Sequence, residues 1–218
     1  AKCRYCDKKG LFLTVDNNGL CKNCAYPIIS DITQRSRIME DSMRLANEGK
    51  TFATKLSRCD LVIEHAELLQ KYEKKNIPTL SPLPSELVDK FRAFRTEIVL
   101  DAAQNAADRA IEKSKVAVTT TTKYSALGTG LLKTKEILEN VSPGIGQSII
   151  NDLAEKMHEA KLSGFIENAK KAEFKGNTKK AIDQYLEALF FIKNDDIPDH
   201  RQQEEIARIE FKIQELKS

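Results

Sequence analysis

Four cysteines in two Cys-x-x-Cys pairs constrain the fold of this chain more than any other feature. The first pair is Cys3 and Cys6, the second pair is Cys21 and Cys24, and fourteen residues separate the pairs. Each turn brings two sulfurs close enough to bind one ion, and two turns supply the four thiolates of a tetrahedral Zn²⁺ site. We therefore predict that these four residues bind structural Zn²⁺, because four thiolates leave no coordination position for a catalytic water.

Two disulfide bonds, or a redox or iron–sulfur role, are the alternatives for the same four residues. The chain has a fifth cysteine, Cys59, and no signal peptide precedes the pairs. Both observations favour a reducing compartment, in which thiols stay reduced. So short a segment buries too little apolar surface to fold alone, so metal binding has to supply its folding free energy.

The segment between the two pairs is predicted to form a single β-hairpin. Residues 11–15 are apolar or β-branched, which is typical of a short strand, and residues 16–19 favour a turn. We expect five apolar side chains to cover one side of this hairpin or to dock onto the next helix: Leu11, Phe12, Leu13, Val15 and Leu20. The pattern in residues 1–27 resembles a treble-clef or ribbon-type zinc finger.

The composition favours long, solvated helices over one compact core. Of the 218 residues, 31% are charged and 6% are aromatic, and tryptophan is absent. No run approaches the ~18 consecutive apolar residues of a membrane span. With no signal peptide either, we expect a cytoplasmic protein that has no membrane partner.

The charge distribution lacks the concentrated basic face of an obligate nucleic-acid binder. The net charge is +3 for the whole chain, +3 for residues 1–27 before metal binding, and −2 for residues 143–218. Lys8 and Lys9 could contact phosphates, although a solvated loop rim is the simpler interpretation. We therefore expect a protein partner before a nucleic acid.

Residues 28–142 are predicted to form long helices that pack as antiparallel pairs. Apolar residues recur at helical spacings through residues 28–75, as one helix or as two stacked end to end around Gly49. The spacing also allows a coiled coil, so the oligomeric state is open and includes a coiled-coil dimer. Three prolines in residues 76–84 predict a rigid connection before the next helix.

The four threonines at 119–122 predict a turn or a frayed segment near residues 117–124, because β-branched runs fit helices poorly. A helix over residues 124–140 is expected to follow, although it contains Gly128 and Gly130. Glycine is an unfavourable residue inside a helix.

A turn at residues 142–146 contains Gly144 and Gly146. It resembles the hairpin of helix-hairpin-helix DNA-binding motifs, in which glycine amides hold a backbone phosphate. One extra residue separates Val141 from the Pro143-Gly144 pair, which shifts the register. An ordinary turn that caps the next helix is the alternative.

Small, aromatic and apolar residues recur at helical spacings in the last part of the chain: Ala169, Ala172, Gly176, Ala181, Tyr185, Ala188 and Leu189. Their pattern resembles a single tetratricopeptide repeat. The resemblance implies that Gly176 closes the first helix and that Tyr185 fills the groove. A lone repeat cannot bury its own face, so we expect residues 149–157 and a last helix to complete a bundle of three or four helices. That helix carries one apolar face: Ile206, Ile209, Ile213 and Leu216. The bundle is also similar to microtubule-interacting-and-transport-type bundles, and repeat-like bundles bind peptides or helices in a groove.

No catalytic constellation is evident in the sequence. The three histidines, His65, His158 and His200, are isolated, and Cys59 lies on an apolar stripe that favours a buried thiol. Phosphate-loop and nucleophile-elbow motifs are absent. We therefore predict that the chain is not an enzyme.

Together these patterns predict a mainly α fold in three segments. They are a zinc-binding module at 1–27, a long helical region at 28–142 and a tetratricopeptide-like bundle at 143–218. The predicted function is a non-enzymatic, zinc-containing adaptor for protein–protein interaction. The alternative is a nucleic-acid-associated protein that uses the zinc module and the turn at Gly144 and Gly146.

Overall fold

The fold is mainly α-helical, as the sequence predicts, in a computed structural model that describes residues 1–195, 197 and 199–218. These residues contain seven α-helices: α1 (Lys22–Glu48), α2 (Phe52–Glu73), α3 (Pro84–Val116), α4 (Thr120–Leu138), α5 (Gln147–Phe174), α6 (Thr178–Lys193) and α7 (Gln203–Lys217). A short 3₁₀ helix, Asp199–Arg201, precedes α7. Within the described ranges, no helix has both the length and the apolar composition needed to cross a membrane.

The chain forms two compact units, an N-terminal unit of residues 1–102 and a C-terminal unit of residues 103–218. The boundary falls within α3, because this helix contributes apolar residues to the cores of both units. The division into segments 1–27, 28–142 and 143–218 stays a prediction.

In the N-terminal unit, α1 and α2 form an antiparallel pair rather than one long helix or an end-to-end stack. Asp31 contacts Tyr72 and Arg35 contacts His65, so residue numbers rise along one helix as they fall along the other. The reversal occurs between Glu48 and Phe52. Thr51 caps the start of α2, because its hydroxyl accepts a hydrogen bond from the Thr54 amide at 3.1 Å.

The core of the N-terminal unit is formed by three helices and the cysteine-containing segment together. Its buried members include Met39 of α1, Val62 and Leu69 of α2, and Phe91 of α3. The same apolar cluster includes three residues of the first segment: Cys3, Leu20 and Cys21. The segment therefore packs onto the helical core and does not fold as a separate body.

In the C-terminal unit, α4 packs on α5, α5 on α6 and α6 on α7. The helix α4 begins at Thr120, before the predicted start at residue 124. Its early start is explained by Thr119, whose hydroxyl accepts the Thr122 amide at 3.1 Å and caps the helix. The threonines therefore begin a helix instead of fraying one.

The helix α5 runs unbroken from residues 149–157, which were expected to complete the bundle, into the first helix of the predicted repeat. A turn with Gly176 at φ 70° follows it, and the Asn177 side chain caps α6 by accepting the Lys180 amide at 3.1 Å. Ile209 and Ile213 of α7 share a buried cluster with Tyr185 and Ala188 of α6. The resemblance to a tetratricopeptide repeat and the coiled coil stay predictions.

Candidate metal centre

The sulfurs of Cys3, Cys6, Cys21 and Cys24 converge at one point, and we refer to these residues as the cysteine cluster. All four sulfur atoms lie within 4.8 Å of one another. None of the five cysteines in the described chain forms a disulfide. The arrangement could hold one metal ion.

The distance between the sulfurs of Cys6 and Cys21 matches one edge of a tetrathiolate site. A regular tetrahedron with Zn–S bonds of about 2.3 Å has S···S edges of about 3.8 Å. The sulfurs of Cys6 and Cys21 lie 3.8 Å apart. Disulfide-bonded sulfurs would lie only about 2.05 Å apart. The sulfurs are therefore too far apart for disulfide bonds, and their spacing suits the binding of one metal ion.

Backbone hydrogen bonds shape the loop that carries the first cysteine pair. The Cys3 amide donates to the Lys8 carbonyl at 3.0 Å, and the Asp7 amide donates to the Cys3 carbonyl at 3.1 Å. Asp7 adopts a positive φ of 60°, which Asp tolerates better than most residues. This tight reversal turns the Cys3 and Cys6 side chains toward the same point.

The second cysteine pair lies where α1 begins. The Cys21 carbonyl accepts the amides of Cys24 at 2.8 Å and Ala25 at 2.9 Å. The helix therefore starts at Lys22, and Pro27 lies inside it. This differs from the prediction, which placed the helix from residue 28, and it makes the second cysteine pair part of the first turn of α1.

A turn at residues 16–19 returns the chain from the first pair to the second. The Asp16 carboxylate accepts the amides of Asn18 at 2.9 Å and Leu20 at 2.8 Å. Gly19 has a φ of 75°, and a Cβ at this position would lie 2.6 Å from Cδ of Arg4. Glycine is required here for its conformation and for the close approach of Arg4.

The pKa values of Cys3 and Cys24 are shifted in opposite directions. Burial opposes ionisation of Cys3, but the amides of Cys6, Cys21 and Tyr5 stabilise its thiolate and lower its pKa to about 6. Burial raises the pKa of Cys24 to about 12, and the neighbouring cysteine sulfurs act in the same direction. A cation among the sulfurs would favour all four thiolates, because its charge outweighs their mutual repulsion.

The first loop is also fixed to the C-terminal end of α2. Lys75 donates from Nζ to the Tyr5 carbonyl at 2.6 Å, and Arg4 donates to the Asn76 carbonyl. The rings of Tyr5 and Tyr72 lie 5.9 Å apart between centroids. The cysteine cluster is therefore attached both to α1, through Cys21 and Cys24, and to the end of α2.

The predicted β-hairpin is not confirmed. The described residues show only two isolated bridges here, Lys2 with Lys9 and Val15 with Cys21. Residues 11 and 12 lie in a turn, and residues 16–20 turn back toward the cluster, so no partner strand forms. The expected burial is correct for Leu20, which is 1% exposed, but wrong for Leu11 and Phe12, which are each 97% exposed.

The other residues that the sequence singled out lie elsewhere. Gly144 and Gly146 form a turn before α5, with φ of 92° and 78°. Tyr185 is 2% exposed, and its hydroxyl donates to the Glu173 carboxylate at 2.6 Å. Burial and the Glu173 carboxylate raise the Tyr185 pKa. Tyr185 is therefore a core residue of the bundle and is not available to a ligand in a groove.

His65 and His158 form polar contacts that the sequence does not indicate. Arg35 donates to Nδ1 of His65 at 2.9 Å, and Nε2 of His158 lies 2.5 Å from Oδ2 of Asp195. The His158 ring also stacks on Phe191, with centroids 4.8 Å apart. Only the fold brings these partners together, and no local motif indicates them. His200 lies in the 3₁₀ helix and is exposed.

Comparison of the chain with protein-family models, with curated proteins and with solved structures found no match. The functional argument therefore depends on the geometry of the cysteine cluster and on the exposed surfaces of the two units.

Proposed function

We propose that the chain is a non-enzymatic adaptor, in which structural Zn²⁺ fixes the N-terminal segment to a helical body that binds another protein. The observation that carries this proposal is the cysteine cluster, with four sulfurs within 4.8 Å of one another. Four thiolates fill the tetrahedral shell of zinc, so the ion would stabilise the fold and would not activate water.

An ion bound at the cysteine cluster would act directly on the core of the N-terminal unit. Cys3 and Cys21 are 0% and 4% exposed and belong to the apolar core of the N-terminal unit. An ion bound there would connect the first loop to the start of α1. Its binding free energy would then contribute directly to the stability of this unit.

Metal counting by native mass spectrometry tests the zinc site. We expect one zinc ion per chain in the wild type and loss of the ion in Cys6→Ser, because three thiolates hold zinc less tightly than four. The matched control is Cys59→Ala, since Cys59 is buried outside the cluster and should retain the metal. Full zinc retention by Cys6→Ser would contradict the assignment.

The outward face of α6 supports the part of the proposal that concerns a protein partner. Leu186 and Phe190 are 43% and 67% exposed, and they line a shallow concave surface with Leu189 and Lys193. Exposed aromatic and aliphatic residues around a concavity are typical of sites that bind a helix or peptide.

The test of the protein-binding surface compares two variants of the full chain. The double substitution Leu186→Ser and Phe190→Ser should weaken binding of a purified partner by at least about tenfold, because central aromatic anchors dominate interface energy. Phe211→Ser, which changes an aromatic residue of α7 that is 66% exposed, should bind as the wild type does. Equal binding by all three proteins would remove this surface from the proposal.

The alternative, a nucleic-acid-associated protein, is supported by the turn before α5. Gly144 has a φ of 92°, and apart from its two chain neighbours no residue has an atom within 4 Å of a Cβ placed there, so this side of the turn has room for a ligand. Binding of DNA or RNA that weakens as salt rises would favour this function. Loss of that binding in Lys8→Gln with Lys9→Gln would assign the contact to the zinc module, and no binding at low salt would eliminate the alternative.

A further inference from the structure

The most exposed apolar side chains near the cysteine cluster occupy the corner of a turn. The Leu13 amide donates to the Gly10 carbonyl at 3.4 Å, which closes a four-residue turn over residues 10–13. Leu11 and Phe12 are its two central residues, and each is 97% exposed. Turn corners are usually occupied by Gly, Pro, Asn or Asp. We call residues 10–13 the tip turn.

The tip turn extends from a part of the first loop whose backbone is held by hydrogen bonds. Directly before it, Lys9 pairs with Lys2 in an isolated bridge, and the Gly10 amide donates to the Ala1 carbonyl at 3.3 Å. Leu13, at its other end, packs against the core of the N-terminal unit. Leu11 and Phe12 are therefore held in place before they meet a ligand, which lowers the entropic cost of binding.

Two lysines lie next to the apolar pair in sequence. Lys8 and Lys9 are exposed, and neither forms an ion pair within the part of the chain that the structure describes. Lys2, in contrast, pairs with Asp7 at 2.8 Å. The tip turn therefore combines a fully exposed Leu–Phe pair with two neighbouring lysines that form no ion pair in the described chain.

We propose that the tip turn binds the surface of an anionic lipid bilayer. Leu11 and Phe12 enter the boundary between headgroups and acyl chains, and Lys8 and Lys9 remain at the level of the lipid phosphates. A bilayer matches both parts of the turn, because apolar side chains insert at this boundary and lysines are attracted by anionic headgroups. A nucleic acid would match the lysines and stack on Phe12, but it would leave Leu11 without an apolar partner.

This proposal revises the expectation of no membrane partner, which depended on the lack of a spanning segment. Contact with the bilayer surface requires only apolar residues that reach the interface and charges of the right sign. Such a contact would locate the proposed adaptor at a membrane through its N-terminal unit.

Vesicle co-sedimentation of the zinc-loaded full chain tests the proposal. The probes are vesicles of phosphatidylcholine alone and of phosphatidylcholine with about 30 mol % phosphatidylserine. We expect binding to the anionic vesicles only, weakened as salt rises from about 0.1 to about 0.5 M. The double variant Leu11→Ser and Phe12→Ser should reduce the bound fraction at least about fivefold.

Two further variants separate the roles within the turn. Lys8→Gln with Lys9→Gln should weaken vesicle binding and remove most of its salt dependence. Phe211→Ser, an exposed aromatic residue of the other unit, should bind vesicles as the wild type does. Zinc content and circular dichroism should be the same for all variants, since the four changed residues of the first loop are exposed.

Three results would overturn the proposal. The first is a wild-type chain that stays in the supernatant with anionic vesicles. The second is a Leu11→Ser and Phe12→Ser variant that binds vesicles as well as the wild type does. The third is binding of a single-stranded oligonucleotide that depends on the tip turn while vesicle binding is absent, which would reassign the surface to nucleic acid.

Discussion

One carboxylate in the N-terminal unit connects α1 and α2 through several polar contacts. Asp31 of α1 accepts hydrogen bonds from Tyr72 at 2.7 Å and Arg35 at 2.8 Å, and Lys71 lies 3.5 Å away. Burial raises the pKa of Asp31, but these three partners outweigh it and hold the pKa below its ordinary value. Asp31 is therefore more stable as a carboxylate in the folded chain than in the unfolded chain.

The lowered pKa of Asp31 predicts how stability changes with pH. Its contribution is fully present above the unfolded value of about 3.9 and is lost as pH falls through the lower folded value. Tyr72→Phe should reduce the free energy of unfolding by about 1 kcal/mol at about pH 7, with a smaller difference at about pH 2. Urea unfolding of the full chain at both pH values measures this effect.

The control for this prediction is Tyr124→Phe, which alters a tyrosine of the C-terminal unit that is 40% exposed. Its free energy of unfolding should differ little from that of the wild type at either pH. A Tyr72→Phe difference that grows as pH falls would contradict the proposed role of the Asp31 carboxylate.

For individual residues, the sequence predicts well which cysteines come together. It predicts poorly which of the neighbouring apolar side chains are buried. Two Cys-x-x-Cys pairs limit where four sulfurs can go, because each turn is short. The exposure of Leu11 and Phe12 depends instead on hydrogen bonds such as the one between the Leu13 amide and the Gly10 carbonyl. The apolar character of Leu11 and Phe12 therefore led to a prediction of burial, whereas both side chains are exposed.

Among the elements, the close approach of α3 and α4 depends on one glycine. A Cβ added to Gly130 would lie 2.1 Å from Cβ of Ala110, whereas a Cβ on Gly128 would meet only Met157 at 3.5 Å. Both glycines lie inside α4, two residues apart. The sequence marks them equally as unfavourable in a helix, but only Gly130 is required for packing.

This difference gives a matched pair of substitutions within one helix. Gly130→Ala should lower the free energy of unfolding by about 1–3 kcal/mol, because the added methyl overpacks against Ala110. Gly128→Ala should be neutral or stabilising by up to about 1 kcal/mol, because alanine favours a helix. Thermal and urea unfolding of both variants measure the effect, and equal changes in the free energy of unfolding for the two variants would contradict the role of the Ala110 contact.

Local sequence patterns predict some helix ends, but they do not predict how the helices then pack. The break near Gly49 is marked in the sequence, but the antiparallel packing that follows depends on contacts between distant residues such as Asp31 and Tyr72. The start of α1 at Lys22 was missed because the helical spacing of apolar residues begins at residue 28, whereas the Cys21 carbonyl starts the helix earlier.

Over the whole molecule, metal removal should affect the two units differently. Cys3, Leu20 and Cys21 belong to the core of the N-terminal unit, while the apolar clusters of the C-terminal unit consist of other residues. After chelation, hydrogen exchange should accelerate in residues 3–21 and then in α1 and α2. Amides of α6 and α7 should keep their protection, and uniform loss of protection would contradict independent cores.

The central claim is that one tetrathiolate zinc ion fixes the N-terminal segment to the helical body, and X-ray absorption at the zinc edge tests it most directly. For the purified full chain, we predict four sulfur neighbours at about 2.3 Å and one zinc per chain. A spectrum with nitrogen or oxygen neighbours in place of sulfur, or a folded protein that contains no metal, would contradict it.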